Sequence, residues 1–284
     1  MKKSLLERIL DPQELSVRFQ PIFRVNGNDR SVDSLEALIR GPQGTNFESA
    51  EIMLDYARRK RAEAEIDRSC IKAICKVAMN LPTAFRINVN VHASTLGQDP
   101  GFVDFFHTQL KKYSLGPWRF VVEIIEHAPA CNIPALLYNL NCFRDAGIRI
   151  ALDDVGLGHS NYRMILDCNP DYFKIDAYFV RGVSADTKRR AVIESIVALS
   201  RSMGAQVVAE GPETKEELRV LQETGVELVQ SNLLCEAMPL FGLQATGLLD
   251  ISNAAAAPRD QRQNPAPMCE QFATNEPLFA AVRA

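Results

Sequence analysis

The sequence predicts an α/β fold in which eight short strands alternate with helices around a barrel. The chain has 284 residues, which is long enough for one large domain. Short apolar runs recur along it and are separated by longer stretches of helical period. Strands are predicted at residues 17–25, 35–40, 85–91, 120–125, 148–153, 172–175, 206–209 and 228–230, and helices at 48–80, 102–113, 133–146, 160–167, 187–203 and 214–224.

The connection between the first two predicted strands is too short for a crossover helix. It consists of Asn26-Gly27-Asn28-Asp29-Arg30-Ser31, and its Asn-Gly pair is typical of a hairpin turn. Parallel strands need a crossover of about a dozen residues or more. The predicted fold class is therefore α/β, a modified TIM (β/α)8 barrel with an antiparallel first strand. This domain is expected to cover residues 1–245, and residues 246–284, which have no apolar period, are expected to form a flexible C-terminal tail.

The composition favours a soluble enzyme or binding protein of the cytoplasm. A formal net charge of -3 gives no electrostatic reason to expect duplex DNA or an anionic membrane as a partner. No segment is long and apolar enough to span a bilayer, and Glu7, Arg8 and Asp11 interrupt the apolar run that a signal peptide requires. The 7 cysteines include no C-x-x-C pair, so we expect reduced thiols.

Acidic and amide side chains lie at the ends of several predicted strands. In a barrel, the carboxyl ends of the parallel strands share one rim, where active sites are built. Carboxylates that converge there repel one another unless cations lie between them. Oxygen ligands favour Mg²⁺ or Mn²⁺, and two adjacent acids suit a two-metal site for phosphoryl chemistry. The candidate ligands are Glu36, Asn90, Glu123, Asp153, Asp154 and Glu210.

Each of these residues also has a structural interpretation. A single acid at a strand end is often a helix cap or an ion-pair partner. Lys174, within the sixth predicted strand, could serve only to pair with Glu210. Among several acids, it could instead position the attacking water and help to deprotonate it. The recurrence of the pattern over six strands favours the shared site.

In order along the chain, these residues stand in motifs that resemble those of the EAL-domain family. Glu36-Ala37-Leu38 is the tripeptide that gives the family its name, and the similarity extends over residues 5–240. The matching motifs are Phe19-Gln20-Pro21-Ile22, Glu36-Ala37-Leu38-Ile39-Arg40, Asn90-Val91, Glu123-Ile124-Ile125-Glu126, Asp153-Asp154-Val155-Gly156, Lys174-Ile175-Asp176, Ala209-Glu210-Gly211-Pro212-Glu213-Thr214 and Gln230.

The resemblance implies a metal-dependent phosphodiesterase that hydrolyses the bacterial second messenger cyclic di-GMP to pGpG. By this match, Glu36, Asn90, Glu123 and Asp153 hold one Mg²⁺ or Mn²⁺ ion, and Asp153, Asp154 and Glu210 serve the second. Lys174 and Glu210 are the catalytic residues, with Lys174 touching the nucleophilic water. Glu126 anchors the loop that follows Asp154, and the family also implies a homodimer. The implied substrate-binding residues are Gln20, Arg40, Glu213 and Gln230.

Some positions depart from the pattern that is usual in active members. The loop at 153–161 reads Asp-Asp-Val-Gly-Leu-Gly-His-Ser-Asn where Asp-Asp-Phe-Gly-Thr-Gly-Tyr-Ser-Ser is usual, and Ser231-Asn232 replaces Gly-Tyr after Gln230. None of these changes removes a candidate ligand, so active hydrolysis is the predicted function. The alternative is a catalytically inactive domain that acts as a cyclic di-GMP receptor or binds a regulatory protein partner.

Overall fold

Eight strands close into a barrel in the order in which they occur along the chain. The computed structural model describes residues 3–26, 29–125, 132–157 and 162–254. The strands are β1 (Ser16–Asn26), β2 (Asp29–Arg40), β3 (Arg86–His92), β4 (Phe120–Ile125), β5 (Arg149–Leu152), β6 (Tyr172–Ile175), β7 (Gln206–Glu210) and β8 (Leu228–Gln230). β1 is antiparallel to β2 and β8, and all other neighbours are parallel. The predicted fold class is confirmed.

The first hairpin is tighter than the sequence suggested. Asn26 and Asp29 already pair across it, because residues 29–31 extend β2 instead of forming a loop. The register of this hairpin places Gln20 opposite Glu36, and the antiparallel pairing of β1 with β8 places Ile22 opposite Gln230. Residues from both ends of the chain therefore meet on one side of the barrel.

Helices cover the outside of the barrel. They are α1 (Leu5–Ile9), α2 (Ala50–Arg59), α3 (Glu63–Ala78), α4 (Ala93–Gln98), α5 (Phe102–Lys112), α6 (Ile133–Asp145), α7 (Tyr162–Cys168), α8 (Ala177–Val180), α9 (Thr187–Ser202), α10 (Lys215–Thr224) and α11 (Leu240–Ala245). The single helix predicted at 48–80 is two helices, because Arg61 adopts a positive φ of 55° that interrupts it. The sequence did not predict the short helices α1, α4, α8 and α11. Helices of 4 to 6 residues are too short for apolar residues to recur at helical spacing.

The core has two parts. The larger part packs the outer faces of the strands against the helices and includes Phe106, Phe120 and Phe143, whose rings meet edge to face. The smaller part lies inside the barrel and is built from one residue of each of six strands: Ile22, Val121, Ala151, Tyr172, Val208 and Leu228. This apolar layer forms a floor beneath the polar residues at the carboxyl ends of the strands.

The opposite end of the barrel is closed by polar contacts. The Tyr172 hydroxyl accepts hydrogen bonds from Arg86 at 3.1 Å and from Arg149 at 2.8 Å. The buried carboxylate of Asp33 pairs with Arg24 at 2.7 Å and with Arg86 at 3.4 Å. These contacts leave the carboxyl ends of the strands as the end at which polar groups can face a ligand.

Part of the expected tail is described. Leu249 is buried, and Ala254 forms a bridge with Val32. Residues 255–284 lie outside the described residues, so the flexibility of the tail stays a prediction. Every helix in the described ranges is too short or too polar to cross a lipid bilayer.

The cysteines only partly follow the expectation of reduced thiols. Cys70, Cys75, Cys168 and Cys235 are free. Cys142 is disulfide-bonded, and the expectation is wrong there, because sequence spacing does not reveal which thiols come close in space.

Candidate active site

The ammonium group of Lys174, in the middle of β6, lies among four carboxylates. It is 2.6 Å from Glu123 Oε2 and 2.7 Å from Glu210 Oε1. Glu36 Oε2 is 3.3 Å away and Asp153 Oδ1 is 3.4 Å away. The four acids come from β4, β7, β2 and the end of β5, so closure of the barrel is what assembles the cluster. Lys174 is 2% exposed, and it pairs with all four carboxylates and not with Glu210 alone.

Burial and charge act against each other in this cluster. Burial raises the pKa of Glu123 well above its usual value, and the nearby Glu36 carboxylate raises it further. Burial likewise raises the pKa of Glu210 to about 8, although Lys174 opposes this effect. Burial alone would lower the pKa of Lys174, but attraction to Asp153 and the other three carboxylates outweighs it and raises the pKa. The raised pKa values of Glu123 and Glu210 mean that one ammonium does not balance four acids, and that additional cations would favour the ionised form of these two.

Amide side chains complete the inner surface of the site. Asn90 Nδ2 donates to Glu36 Oε1 at 2.8 Å, and Asn88 Nδ2 donates to Glu123 Oε1 at 2.6 Å. Gln230 Nε2 donates to Glu36 Oε2 at 2.7 Å. Asn88 was missed by the sequence reasoning, although the alternation of side chains along β3 puts it on the same face as Asn90.

The carbonyl oxygens of these three amides are buried and accept no hydrogen bond in the described residues. A buried acceptor without a partner costs about 1–3 kcal/mol, and an amide oxygen is a suitable ligand for a hard cation. The donor set, made of carboxylate and amide oxygens, therefore fits Mg²⁺ or Mn²⁺ chemically. Among the described residues, however, no three His, Cys, Asp or Glu side chains are arranged around a common metal position, and the carboxylates point to Lys174 instead.

Asp154 stands beside this cluster in a strained backbone conformation. Its φ of 52° lies in the left-handed region, which costs a residue other than glycine about 1–2 kcal/mol. Burial and the neighbouring Asp153 raise the pKa of its half-buried carboxyl group to about 6. Asp154 thus provides a second acid directly after Asp153, beside the cluster.

A cavity of about 340 Å³ opens beside the cluster. Gln20, Glu210, Glu213 and Gln230 line it, so most of the predicted substrate-binding residues share one space. Gln20 Oε1 accepts a hydrogen bond from Gln230 Nε2 at 3.0 Å, which connects the cavity to the amide network.

Arg40 does not line this cavity. The Arg40 Nη1 group donates to the carbonyl oxygen of Ile39 at 2.9 Å, and Arg40 is not among the residues that line the cavity. Burial, together with nearby Arg18, lowers its pKa. Glu126 lies outside the described residues, as do residues 158–161 of the loop after Asp154.

The loops after β6 and β7 are joined by residues that the sequence reasoning did not select. Glu217 is buried and accepts hydrogen bonds from the backbone N–H groups of Gly182 at 2.6 Å, Glu213 at 2.8 Å and Thr214 at 3.1 Å. Arg181 Nε lies 3.0 Å from Glu213 Oε1, across the mouth of the cavity. The capping-box spacing of Thr214 and Glu217 was the only sequence signal, and it indicated a helix start and not a link between loops.

The model of the EAL domain family matches residues 3–237 of this chain. The probable cyclic di-GMP phosphodiesterase PdeG of Escherichia coli is 29% identical over 233 residues, which are 80% of this chain and 45% of PdeG. This chain spans less than half the length of the curated relatives that it matches.

Solved structures share the fold. The cyclic di-GMP complex of the PaMucR phosphodiesterase is 25% identical with a TM-score of 0.74, covering 84% of this chain and 97% of PaMucR. The calcium and cyclic di-GMP complex of Klebsiella pneumoniae BlrP1 is 27% identical with a TM-score of 0.69, covering 84% of this chain and 58% of BlrP1, and a manganese complex of BlrP1 is also similar. Since the family model covers most of the chain, this protein belongs to the EAL domain family.

Proposed function

We propose that this chain hydrolyses cyclic di-GMP to linear pGpG with the help of two Mg²⁺ or Mn²⁺ ions. The observation that carries the proposal is the convergence of Glu36, Glu123, Asp153 and Glu210 on Lys174, next to a cavity that can admit a ligand. The names of PdeG and PaMucR, and the cyclic di-GMP complexes of PaMucR and BlrP1, support this choice of substrate.

The proposed metal-binding residues are those that the family resemblance implies. Glu36, Asn90, Glu123 and Asp153 would hold one ion, and Asp153, Asp154 and Glu210 would hold the other. The unpartnered oxygen of Asn90 and the excess of acids over the one ammonium of the cluster support this assignment. To bind metal, the carboxylates exchange part of their contact with Lys174 for contact with the ions. When bound, the ions stabilise negative charge that develops on the phosphate oxygens.

The chain's own residues orient the substrate and the attacking water. Glu210 lines the cavity and lies 2.7 Å from Lys174, so both can contact a water placed for in-line attack on phosphorus. The water oxygen bonds to phosphorus, one P–O ester bond breaks, and the leaving ribose oxygen takes up a proton. The other phosphodiester stays intact, which gives pGpG. Gln20, Gln230 and Glu213 line the cavity and present hydrogen-bonding groups to the substrate. Arg40 takes part if it exchanges its bond to the Ile39 carbonyl for one to the ligand.

Incubation of the purified chain with cyclic di-GMP tests the proposal. The reaction is run with Mg²⁺, with Mn²⁺ and with EDTA, and the products are separated by chromatography. We expect pGpG only when a divalent ion is present. If calorimetry detects metal-dependent binding but no product forms, the chain is a cyclic di-GMP receptor, and if it detects neither, the domain acts through protein contacts.

We also propose that the chain works in the cytoplasm as a homodimer whose activity is set by a regulatory protein partner. Family resemblance supports the dimer. Size-exclusion chromatography with light scattering tests the dimer, and a measured mass of one chain at micromolar concentration would contradict it.

A further inference from the structure

Arg181 is a cation at the mouth of an acidic cavity. Of the described residues that line this cavity, Arg181 alone carries a positive charge, whereas Glu210 and Glu213 are acidic. Lys174 lies deeper and is already paired with four acid side chains. An anionic ligand that enters the cavity therefore meets Arg181 before it meets any other protein cation there.

The guanidinium group of Arg181 has unused donors. Its Nε lies 3.0 Å from Glu213 Oε1 and donates to the Gly211 carbonyl at 3.5 Å. Within the described part of the chain, no protein group accepts a hydrogen bond from its two Nη groups. The side chain is 58% exposed, so these donors face the solvent at the cavity mouth. Two parallel N–H groups match the geometry of two oxygens on a phosphate.

The loop that carries Arg181 is held firmly. Arg181 follows α8, and the next residue, Gly182, donates its backbone N–H to the buried carboxylate of Glu217. Glu217 also binds the backbone of Glu213, so one carboxylate ties together the two loops that carry Arg181 and Glu213. Gly211 brings the two loops close together, since a Cβ at this position would lie 2.9 Å from the Ala177 Cβ. The backbone that carries Arg181 is thus held in place beside the cavity.

The substrate of the proposed function requires a cation at such a place. A cyclic dinucleotide has two phosphodiesters on opposite sides of its ring, and only one of them can lie at the carboxylate cluster. The other one lies further out, where the exposed carboxylate of Glu213 would repel it. We propose that Arg181 binds this second phosphodiester, the one that is not cleaved. This inference rests on the proposed function and adds a residue that selects ligands with two phosphates.

Substitution of Arg181 by glutamine tests the inference. Calorimetry with cyclic di-GMP in Ca²⁺, the ion that accompanies this ligand in a BlrP1 structure, gives Kd, and turnover in Mn²⁺ gives KM and kcat. For Arg181→Gln we expect Kd and KM to rise about five- to twentyfold, as for one partly exposed charge-assisted contact, with kcat within about twofold. Arg181→Lys should recover part of the lost affinity, because lysine keeps the positive charge but lacks the two parallel N–H groups of the guanidinium. Added salt should weaken binding by the wild type more than by Arg181→Gln.

Arg219→Gln is the matched control, because Arg219 is 62% exposed and also pairs with one glutamate, Glu223, but does not line the cavity. Its Kd should equal that of the wild type. Equal Kd values for the wild type and Arg181→Gln would overturn the inference, as would a fall in kcat without a change in Kd. A wild type that neither binds nor cleaves cyclic di-GMP would overturn the proposed function itself, and this result differs from all of the others.

Discussion

Replacement of Lys174 by methionine removes the ammonium that four carboxylates share. Methionine has a similar length and no charge, so the change tests electrostatics more than packing. Removal of one partner from a buried ion pair costs about 3–5 kcal/mol, because the opposite charge stays buried. Here the remaining carboxylates would also repel one another across the barrel. We therefore expect the free energy of unfolding in EDTA to fall by about 3–5 kcal/mol, which corresponds to a Tm lower by about 6–20 °C.

Divalent ions should reverse part of this loss. If the carboxylates bind metal, Mn²⁺ can replace the charge of the missing ammonium, and Mn²⁺ should raise the Tm of Lys174→Met more than that of the wild type. Turnover should nevertheless fall by at least about 100-fold, because no ammonium orients the attacking water. Thermal melts in EDTA and in Mn²⁺, together with the chromatographic assay, measure all three effects.

The exposed Lys188 provides the control, since Lys188→Met should change stability by less than about 0.5 kcal/mol. The reasoning would be refuted if Lys174→Met melted in EDTA at the temperature of the wild type. It would also be refuted if Mn²⁺ stabilised both proteins equally, because the carboxylates would then not be the metal ligands.

Three other changes test separate parts of the structure. Glu36→Ala should abolish pGpG formation, with a loss of at least about 100-fold, while the circular dichroism spectrum keeps its native form, and retained turnover would contradict the two-metal assignment. Glu217→Ala should cost about 1–3 kcal/mol in urea unfolding at pH 7. Burial acts to raise the pKa of Glu217, but its backbone hydrogen bonds together outweigh burial and lower the pKa. The stabilisation by ionised Glu217 is therefore present above the unfolded pKa of about 4.3. The difference in stability between wild type and Glu217→Ala should shrink as the pH falls below that value. Asp67→Asn should also cost about 1–3 kcal/mol in urea, because buried Asp67 uses both of its oxygens and an amide has only one. Oδ2 accepts from the His92 backbone N–H at 3.0 Å and from Thr95 Oγ1 at 2.6 Å, while Oδ1 lies 2.8 Å from His92 Nδ1, and an unchanged midpoint would count against this role.

The barrel and the acids at its rim could be predicted because they depend on local signals. Apolar runs mark the strands, and the rule that parallel strands share one carboxyl-terminal edge then brings Glu36, Glu123, Asp153 and Glu210 together without further information. The antiparallel first strand followed from the length of one connection. What the pattern left open was whether Lys174 pairs with Glu210 alone or lies among all four acids, because this depends on side-chain direction and not on sequence order.

The residues that were missed act across distant elements. Glu217 binds Gly182 from 35 residues away, and Asp67 binds His92 from 25 residues away. Such pairs depend on how a helix packs against a strand or loop, and a single sequence contains no signal for that packing. Arg181 was missed for the same reason, because its charge becomes informative only when the cavity around it is known to be acidic.

Two substitutions beside the cavity exchange the usual family residues for hydrogen-bonding ones. Ser231, in place of glycine, donates to the Pro212 carbonyl and accepts from the Leu233 backbone N–H at 2.9 Å. Asn232, in place of tyrosine, accepts a hydrogen bond from Gln20 Nε2 at 3.0 Å. The lost aromatic surface is thus replaced by polar contacts that hold Gln20 and the loop before Glu213. Asn232 thus supports Gln20, which is proposed to contact the substrate, and Ser231 supports the residue next to Glu213. The substitutions preserve the polar lining of the cavity, which favours retained nucleotide binding over a domain that has lost its ligand.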